Sequence, residues 1–215
     1  MLLYYITDRS GFAGDESARR RQVVEKIAEA ARAGVDYIQL RERDLTAGEL
    51  EGLGREAVRA VRQANSGTKL LLNSRTDVAL AIGADGVHLR GDDASPVEIA
   101  AIEKAAGESG QLMAGSFLTA VSCHSVDDVR RAELEGAGFA VLAPIFGKRT
   151  EVPVQAVGLE ELKIACRGEL AVFALGGVST ENFEACLLAG AAGIAAIRLF
   201  QNNPIERVTR RLRSF

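Results

Sequence analysis

The sequence predicts an α/β fold, a closed barrel of eight βα units that spans residues 1–215 as a single domain. The main observation is a repeat, in which a small residue and a glycine precede a short apolar run. The glycines of four such segments are spaced by 49, 53 and 54 residues, and one compact βα unit takes about half of that length. Each spacing therefore covers two units, which predicts about eight strands. The segments read AGVDYIQL from Ala33, GADGVHL from Gly83, GAGFAVLAP from Gly136 and AGAAGIAAI from Ala189.

The repeat has a physical basis at each turn from helix to strand. Gly34, Gly83, Gly136 and Gly190 each follow a helical pattern, where a glycine in a left-handed C-cap lets the chain turn back. The run that follows is continuously apolar, as expected for a strand buried on both faces of a parallel sheet. Such strands fit a TIM barrel or an open doubly wound sheet, and the even spacing favours the closed barrel.

The remaining strands lie between these segments. LLYYIT opens the chain at Leu2, and KLLLN runs from Lys69 to Asn73. A weaker candidate covers Ala120 to Cys123, and LAVFALGG runs from Leu170 to Gly177. The least regular stretches are 107–120 and 147–157. The second of these follows the sixth strand, so that it is expected to form an active-site loop.

Helical patterns separate the strands. Ser17 to Arg32 carries apolar residues at helical spacing. Leu45 to Arg62 begins with Thr46 and Glu49, a capping-box pattern in which each side chain bonds the other's backbone N–H. Two further helix starts are predicted toward the C-terminus, at Thr180 as an N-cap and at Pro204 near a first turn.

Composition argues against several classes of function. Lys and Arg number 26 against 29 Asp and Glu, and the resulting net charge of −3 does not support binding to nucleic acid or to a membrane surface. Cys123, Cys166 and Cys186 have no CxxC spacing, which argues against a disulfide framework or a zinc site and favours the reducing cytoplasm. The start MLLYYITDRS has no basic region and is typical of a strand rather than a signal peptide. No apolar run reaches the ~18 residues of a membrane span.

Polar residues follow the predicted strands, at the end of a barrel where active sites lie. Arginine offers a planar fork of N–H donors that suits phosphate oxygens, and glycines after the seventh strand let a phosphate approach backbone N–H groups. The ring therefore predicts a site for a phosphorylated small molecule. Its members are Thr7, Asp8, Arg9, Gln39, Arg41, Glu42, Arg43, Asp44, Asn73, Ser74, Arg75, His88, Arg90, Asp92, Asp93, Ser122, Cys123, His124, Ser125, Gly176, Gly177 and Arg198.

Several members of this ring have a functional and a structural interpretation. His124 is a candidate general acid/base, since imidazole exchanges a proton near pH 7, or else a hydrogen-bonded structural histidine. For His88, inside the run GVHL, we favour a structural role. Asp92 and Asp93 are either Mg²⁺ ligands or an N-cap pair for the following helix. Cys123 has no obvious base beside it, so we interpret it as a packing residue.

A series of motifs runs in order along nearly the whole chain: YYITDR near the start, QLRER from Gln39, LNSRTDVAL from Leu72, GADGVHL from Gly83, SCHS from Ser122, APIF from Ala143, ALGG from Ala174 and AGAAGI from Ala189. In order and spacing this series resembles the thiamin phosphate synthase and TenI superfamily, whose members are thiamin-phosphate pyrophosphorylase-like barrels. The resemblance implies one of two activities. The synthase joins pyrimidine methyl diphosphate to a thiazole phosphate with Mg²⁺ and releases diphosphate. The thiazole tautomerase (TenI) moves a proton and converts a dihydrothiazole carboxylate phosphate into its aromatic tautomer.

Departures from the synthase pattern favour the TenI branch. The synthase usually has Lys at the place of Arg43, an Asp that binds Mg²⁺ at the place of Ser74, and Ser at the place of Arg198. Its Thr-x-Thr-Lys loop after the sixth strand is replaced by GKRTEV from Gly147. Loss of a carboxylate ligand and of diphosphate donors weakens diphosphate chemistry, which needs its negative charge neutralised. A tautomerase without a cofactor is therefore the first expectation.

The resemblance also implies roles for individual residues. His124 would be the catalytic acid/base of the tautomerase. In the alternative, a thiamin phosphate synthase (a thiamin-phosphate diphosphorylase), Asp93 would bind Mg²⁺, and Arg43, Lys148 and Arg149 would bind diphosphate. A third hypothesis is a non-catalytic binder of thiazole phosphate or thiamin phosphate. The partner is in each case a small phosphorylated molecule, and a homo-oligomer stays open. The residues expected to bind substrate are Gln39, Arg41, Arg43, Asn73, Ser122, Gly176, Gly177, Ile197 and Arg198.

Overall fold

The computed structural model describes residues 1–108, 117–147 and 155–215. Its strands are all parallel, each pairs with the next along the chain, and the last returns to pair with the first. The predicted closed barrel is therefore confirmed, and the open doubly wound sheet is excluded. The strands are β1 Leu2–Ile6, β2 Tyr37–Leu40, β3 Lys69–Asn73, β4 Gly86–Leu89, β5 Leu118–Cys123, β6 Phe139–Leu142, β7 Val172–Leu175 and β8 Gly193–Ala196.

Helices on the outside of the barrel connect these strands. Within the described residues, no helix is both long and apolar enough to cross a membrane. A short 3₁₀ turn at Arg9–Gly11 precedes the first helix. The α-helices are α1 Glu16–Arg32, α2 Ala47–Gln63, α3 Thr76–Ile82, α4 Pro96–Glu108, α5 Val126–Leu134, α6 Gly158–Ala165, α7 Phe183–Leu188, α8 Arg198–Gln201 and α9 Ile205–Leu212.

Capping groups are present at several helix ends, among them the predicted capping box of α2 and the repeat glycines. Asp15 caps α1 by accepting from the backbone N–H of Ala18 at 2.8 Å. Thr46 and Glu49 form the capping box of α2 in both directions. The repeat glycines adopt the left-handed conformation that a return from helix to strand requires, with φ of 74° at Gly34, 69° at Gly83, 77° at Gly136 and 101° at Gly190.

Two sequence-based expectations differ from the structure. Thr180 is not an N-cap, because α7 begins only at Phe183, and Asn182 accepts from the backbone N–H of Ser179 at 2.8 Å in a turn that precedes it. The fifth strand begins at Leu118, two residues before its predicted start. The predicted irregular stretches 107–120 and 147–157 lie partly outside the described residues. Lys148 and Arg149 lie wholly outside them.

The strands divide their side chains between two cores. Alternate residues point outward and pack against the helices, because successive side chains of a strand lie on opposite faces. The other residues fill the barrel interior, where the rings of Phe139 and Phe173 lie 4.8 Å apart. This filled interior forms the floor of the cavity described next. Its buried apolar members are Tyr4, Ile6, Leu71, Ala120, Phe139, Val141, Phe173 and Ala195.

Candidate active site

A cavity of about 680 Å³ opens at the C-terminal ends of the strands. Its wall contains apolar groups that the sequence reasoning missed, among them Ile6 and Val141, although strand alternation could have identified them. Every residue expected to bind substrate lines this cavity, together with the expected catalytic histidine. The residues so brought together are Gln39, Arg41, Arg43, Asn73, Ser122, His124, Gly176, Gly177, Ile197 and Arg198. Their roles in binding and catalysis stay predictions.

The two-residue period of the strands explains why these side chains meet. Side chains two apart in a strand share a face, so an interior residue near the strand end is followed by a second one at the rim. Gln39 on β2 is followed in this way by Arg41, and Ser122 on β5 by His124. On β4 the interior residue is His88, and the next residue toward the rim on its side is Arg90.

His88 forms part of the cavity floor and joins two other strands. Its Nδ1 lies 2.8 Å from the Tyr4 hydroxyl, and its Nε2 lies 2.8 Å from Ser122 Oγ. Burial, followed by the charge of Arg41, lowers the pKa of His88 to about 3, so the ring is neutral near pH 7. The favoured structural role agrees with this geometry, and the ring also lines the cavity.

The hydrogen bonds of the buried Tyr4 hydroxyl determine the His88 tautomer. Among the described residues this hydroxyl bonds only to His88, so its proton is satisfied only when it donates to Nδ1. The single ring proton then lies on Nε2 and is donated to Ser122 Oγ. The Ser122 hydroxyl is thereby left free to donate its own proton toward the cavity.

A chain of side-chain hydrogen bonds forms one wall of the cavity. Gln39 Nε2 donates to Asn73 Oδ1 at 3.0 Å, and Asn73 Nδ2 donates to Ser74 Oγ at 3.0 Å. Ser74 Oγ also accepts from Arg90 Nε at 3.0 Å. The backbone of Ser74 is left-handed, with φ 61°, at the point where the chain leaves β3 before α3. The wall therefore links strands β2, β3 and β4 through polar groups.

Arginines make the cavity strongly cationic. Arg41, Arg43, Arg90 and Arg198 all line it. Burial lowers the pKa of Arg41, and the neighbouring Arg43 lowers it further, as expected for like charges that lie close together. Asp8 and Glu42 oppose this lowering only in part, and Glu42 and Asp44 pair with Arg9 outside the cavity. Such a cluster of guanidinium groups attracts phosphoryl groups.

His124 lies at the rim directly after β5, next to the end of β4, and one of its ring nitrogens already has a hydrogen-bond partner. Its Nδ1 lies 2.8 Å from the backbone oxygen of Ala143. A carbonyl oxygen only accepts, so Nδ1 carries a proton and donates it. In the neutral ring Nε2 is then an acceptor, as a general base requires. The arrangement suits proton transfer with a ligand in the cavity.

The two glycines after β7 are required by packing. Gly176 and Gly177 have φ of 98° and 70°. A Cβ at Gly176 would lie 2.6 Å from Pro144 Cβ, and one at Gly177 would lie 2.7 Å from Phe146 Cβ. Only glycine fits where the segment after β6 crosses so closely. The sequence predicts that these glycines let a ligand approach the backbone, and they do line the cavity. The close backbone packing is an additional reason for their presence.

The described residues do not fit the Mg²⁺ site that the synthase resemblance implies. Mg²⁺ is usually held by one or two carboxylates together with substrate phosphates. Asp93 Oδ2 instead accepts from the backbone N–H of Arg90 at 2.7 Å, and its Oδ1 lies 3.6 Å from the Arg90 guanidinium. The more exposed Asp92 pairs with the same guanidinium at 3.2 Å. Among the described residues, no cluster of three or more potential ligands could hold a metal ion. Asp93 as a Mg²⁺ ligand stays a prediction from the resemblance alone.

Other members of the predicted ring lie outside the cavity lining. Arg9 is buried and binds Glu42 and Asp44 in a separate network between β1 and β2. Cys123 is buried on the outer face of β5, where burial raises the pKa of its thiol to about 12, in agreement with a packing role. Thr7, Asp8, Ser74, Arg75, Asp93 and Ser125 also do not line the cavity. Arg75 pairs with Asp77, and Ser125 caps α5 by accepting from the backbone N–H of Asp128.

Comparison with known proteins identifies the family. The family model for thiamine monophosphate synthase matches residues 3–200. Putative thiamine-phosphate synthase 2 of Aquifex aeolicus is 35% identical over 199 residues, or 92% of this chain and 96% of that protein. Thiamine-phosphate synthase of Pyrococcus horikoshii is 30% identical, over 98% of this chain and 92% of that protein. The solved structure of thiamine phosphate pyrophosphorylase from Pyrococcus furiosus has a TM-score of 0.78 at 27% identity, and covers 99% of this chain and 94% of that one. The chain therefore belongs to the thiamine monophosphate synthase and TenI family, as its motifs predict.

Proposed function

We propose that this chain is an enzyme of thiamine biosynthesis and that thiamine phosphate synthesis is its reaction. From the sequence alone, the tautomerase is the first expectation and the synthase the second. The names of the relatives support the opposite order, because they are thiamine-phosphate synthases and a thiamine phosphate pyrophosphorylase. The substrates would be pyrimidine methyl diphosphate and a thiazole phosphate.

The observation that carries this proposal is the cationic rim cavity. Its volume of about 680 Å³ lies within the range of about 300–1,000 Å³ that accommodates drug-sized ligands, and two small heterocycles are of that order. Four arginines line it, enough for a diphosphate and a monophosphate. A ring nitrogen of the thiazole would attack the pyrimidine methylene carbon while the bond from that carbon to the diphosphate oxygen breaks. The electron pair leaves with diphosphate.

The protein groups have a defined task in this reaction. Negative charge grows on the departing diphosphate, and donors already in place stabilise such charge without reorganisation. Arg41 is the best placed of them, because it is half-buried in the cavity and its charge is therefore less screened by water. Gln39 and Asn73, held to each other at 3.0 Å, would orient the pyrimidine side.

The direct test is a chromatographic assay of the purified protein with both substrates, which we expect to yield thiamine phosphate. The Arg41→Gln variant is expected to lower kcat/KM about 10²-fold, because it removes one charged donor from the leaving group. Arg55→Gln, which removes an exposed cation paired with Glu51 on α2, is the matched control and should leave the rate unchanged. A folded wild-type protein that makes no thiamine phosphate would refute the synthase proposal.

Thiazole tautomerisation is a second candidate, favoured by the geometry of His124. The bond from Nδ1 to the Ala143 oxygen leaves Nε2 as a proton acceptor at the rim. A proton transfer needs such a group and needs no metal, and acid/base help of this kind contributes about 10²–10⁴-fold.

Incubation with the dihydrothiazole carboxylate phosphate tests this candidate by the appearance of the aromatic product. His124→Asn should lower the rate by about 10²-fold or more, because an amide does not exchange the proton. Full activity in that variant would exclude His124 as the acid/base. Tight binding of thiazole phosphate without turnover of either substrate set would support the non-catalytic binder.

A further inference from the structure

The feature that goes beyond the proposed reaction is the way Arg90 is held at the rim. Arg90 follows β4 on the interior side, two residues after His88, and lines the cavity. Its Nε donates to Ser74 Oγ at 3.0 Å, and one Nη2 N–H donates to Asp92 at 3.2 Å. A guanidinium has five N–H donors, and these two bonds use two of them. The other three form no hydrogen bond among the described residues, although Asp93 Oδ1 lies 3.6 Å from Nη2. The group is therefore anchored but still has donors to offer.

The same contacts leave the Ser74 hydroxyl able to act only as a hydrogen-bond donor to a ligand. Its Oγ accepts from Asn73 Nδ2 at 3.0 Å and from Arg90 Nε at 3.0 Å. A serine hydroxyl has two acceptor positions and one donor, so both acceptor positions are taken. Ser74 Oγ cannot then ligate a cation, and its O–H is available to an anion. The hydroxyl and the free guanidinium N–H groups lie side by side at this rim.

The charges around this point also favour an anion over a metal ion. Both nearby carboxylates, Asp92 and Asp93, are already paired with the Arg90 guanidinium, at 3.2 and 3.6 Å. Arg90 also lowers the pKa of Arg41, in the same direction as burial and Arg43 and against the larger opposing effects of Asp8 and Glu42, so the two cations repel one another. Arg41, Arg43 and Arg90 set three positive charges against the two carboxylates Asp92 and Asp93, which leaves a net charge of +1. An anion would relieve the remaining repulsion, whereas a divalent cation would add to it.

We propose that the Arg90 guanidinium takes the place of a divalent metal ion, so that this rim binds a diphosphate group directly, through Arg90 and the Ser74 hydroxyl, without Mg²⁺. The inference rests on the proposed function in one respect, since the natural source of the diphosphate would be the pyrimidine substrate. This binding mode explains why residue 74 is Ser, whereas the metal-binding pattern of the synthase has a carboxylate at that position. An aspartate at position 74 would compete for the guanidinium that now supplies the charge.

The experiment is calorimetric titration of the purified protein with inorganic diphosphate, in EDTA and then in Mg²⁺. Wild type should bind in EDTA, and Mg²⁺ should change Kd by less than about threefold. Arg90→Gln should weaken binding in EDTA about tenfold or more, because a charged donor is lost. Arg75→Gln, which removes the guanidinium paired with Asp77 at the neighbouring strand end, is the matched control and should keep the wild-type Kd.

Three results would overturn the inference: diphosphate binding by wild type only when Mg²⁺ is present, no binding under either condition, or unchanged binding by Arg90→Gln. An unaltered thermal unfolding midpoint of Arg90→Gln, expected for an exposed side chain, ties its weaker binding to the lost guanidinium. The thiamine phosphate assay separates this inference from the proposed function. If the protein binds diphosphate without metal but forms no thiamine phosphate, the proposed reaction is refuted. The proposed binding of diphosphate by Arg90 and Ser74 is then still supported.

Discussion

His88 is a histidine whose surroundings keep it neutral. It is buried inside the barrel between the Tyr4 hydroxyl and Ser122 Oγ, with 2.8 Å to each. A protonated ring would be buried without a carboxylate partner among its hydrogen bonds, and burial accordingly lowers its pKa to about 3. His88 therefore acts by orienting Ser122, while His124 at the rim is the histidine suited to proton transfer.

This difference makes the stability of the protein depend on pH through His88. In the unfolded chain the imidazole binds a proton below about pH 6.5. In the folded chain it binds one only when the pH approaches the lowered pKa of His88. The neutral ring therefore contributes its full stabilisation of the folded state at pH values above the pKa of the unfolded chain. That stabilisation is lost as the pH falls below this value. Between pH 7 and 5 we expect wild type to lose about 2 kcal/mol more than His88→Gln does.

Urea unfolding at pH 7, 6 and 5 would measure this difference. The pH range lies above the titration of ordinary carboxyl groups, so their contribution is small. An equal pH dependence in wild type and His88→Gln would show that the His88 pKa is not lowered by folding.

At the scale of elements, a buried polar network joins the end of β1 to the end of β2. Glu42 accepts from the Thr7 hydroxyl at 2.6 Å and from the backbone N–H of Arg9 at 3.1 Å. Thr7 Oγ1 in turn accepts from the backbone N–H of Arg41 at 3.0 Å. The Arg9 guanidinium reaches Asp44 at 2.6 Å. The network thereby holds the segment that carries the cavity arginines, which gives the YYITDR motif a physical role.

Glu42→Gln tests this positioning role. The donors of Thr7 and Arg9 surround the carboxylate, so the amide NH₂ would face donors, and we expect a loss of about 1–3 kcal/mol in unfolding free energy. KM for the diphosphate substrate should rise about tenfold, because Arg41 and Arg43 shift. Glu51→Gln, in an exposed pair with Arg55, should change neither quantity appreciably. An unchanged KM in Glu42→Gln would limit the network to a role in stability.

At the scale of the molecule, closure of the barrel depends on close contact between its first and last strands. Gly193 of β8 pairs with Leu2 of β1. A Cβ at Gly193 would collide with the Leu2 backbone oxygen and would lie 2.8 Å from the Phe173 ring. Neither the backbone nor the packed ring can move away cheaply, because protein interiors are close-packed.

Gly193→Ala should therefore lower the free energy of unfolding by about 1–3 kcal/mol, the usual cost of overpacking. Gly52→Ala is the matched control, since Gly52 lies in α2 and a Cβ added there would meet nothing within 4 Å. That change should instead stabilise the protein by about 0.5–1 kcal/mol. Urea unfolding of both variants would measure these changes. Similar changes in the free energy of unfolding for the two variants would contradict the claim that position 193 of β8 has no room for a side chain.

Local patterns predicted much of the fold and the membership of the cavity. The spacing of the glycines predicted the closed barrel, and KLLLN predicted β3 with its observed bounds. Polar residues at the C-terminal ends of strands were expected to converge, and Gln39, Asn73 and Ser122 do so, although all three lie within their strands. These predictions succeed because glycine turns, apolar runs and strand alternation depend on neighbours in the chain.

Contacts between distant strands could not be predicted in this way. The sequence pattern presented Asp93 as a metal ligand and the glycines after β7 as room for a ligand. In the structure Arg90, which faces Asp93, bonds Ser74 at the end of the neighbouring strand, and the glycines pack against Pro144 and Phe146. The sequence alone therefore determined the barrel, the family and which strand ends carry polar groups. Only the tertiary structure decided which of those groups pair and which keep free donors, because pairing depends on the register in which eight strands close.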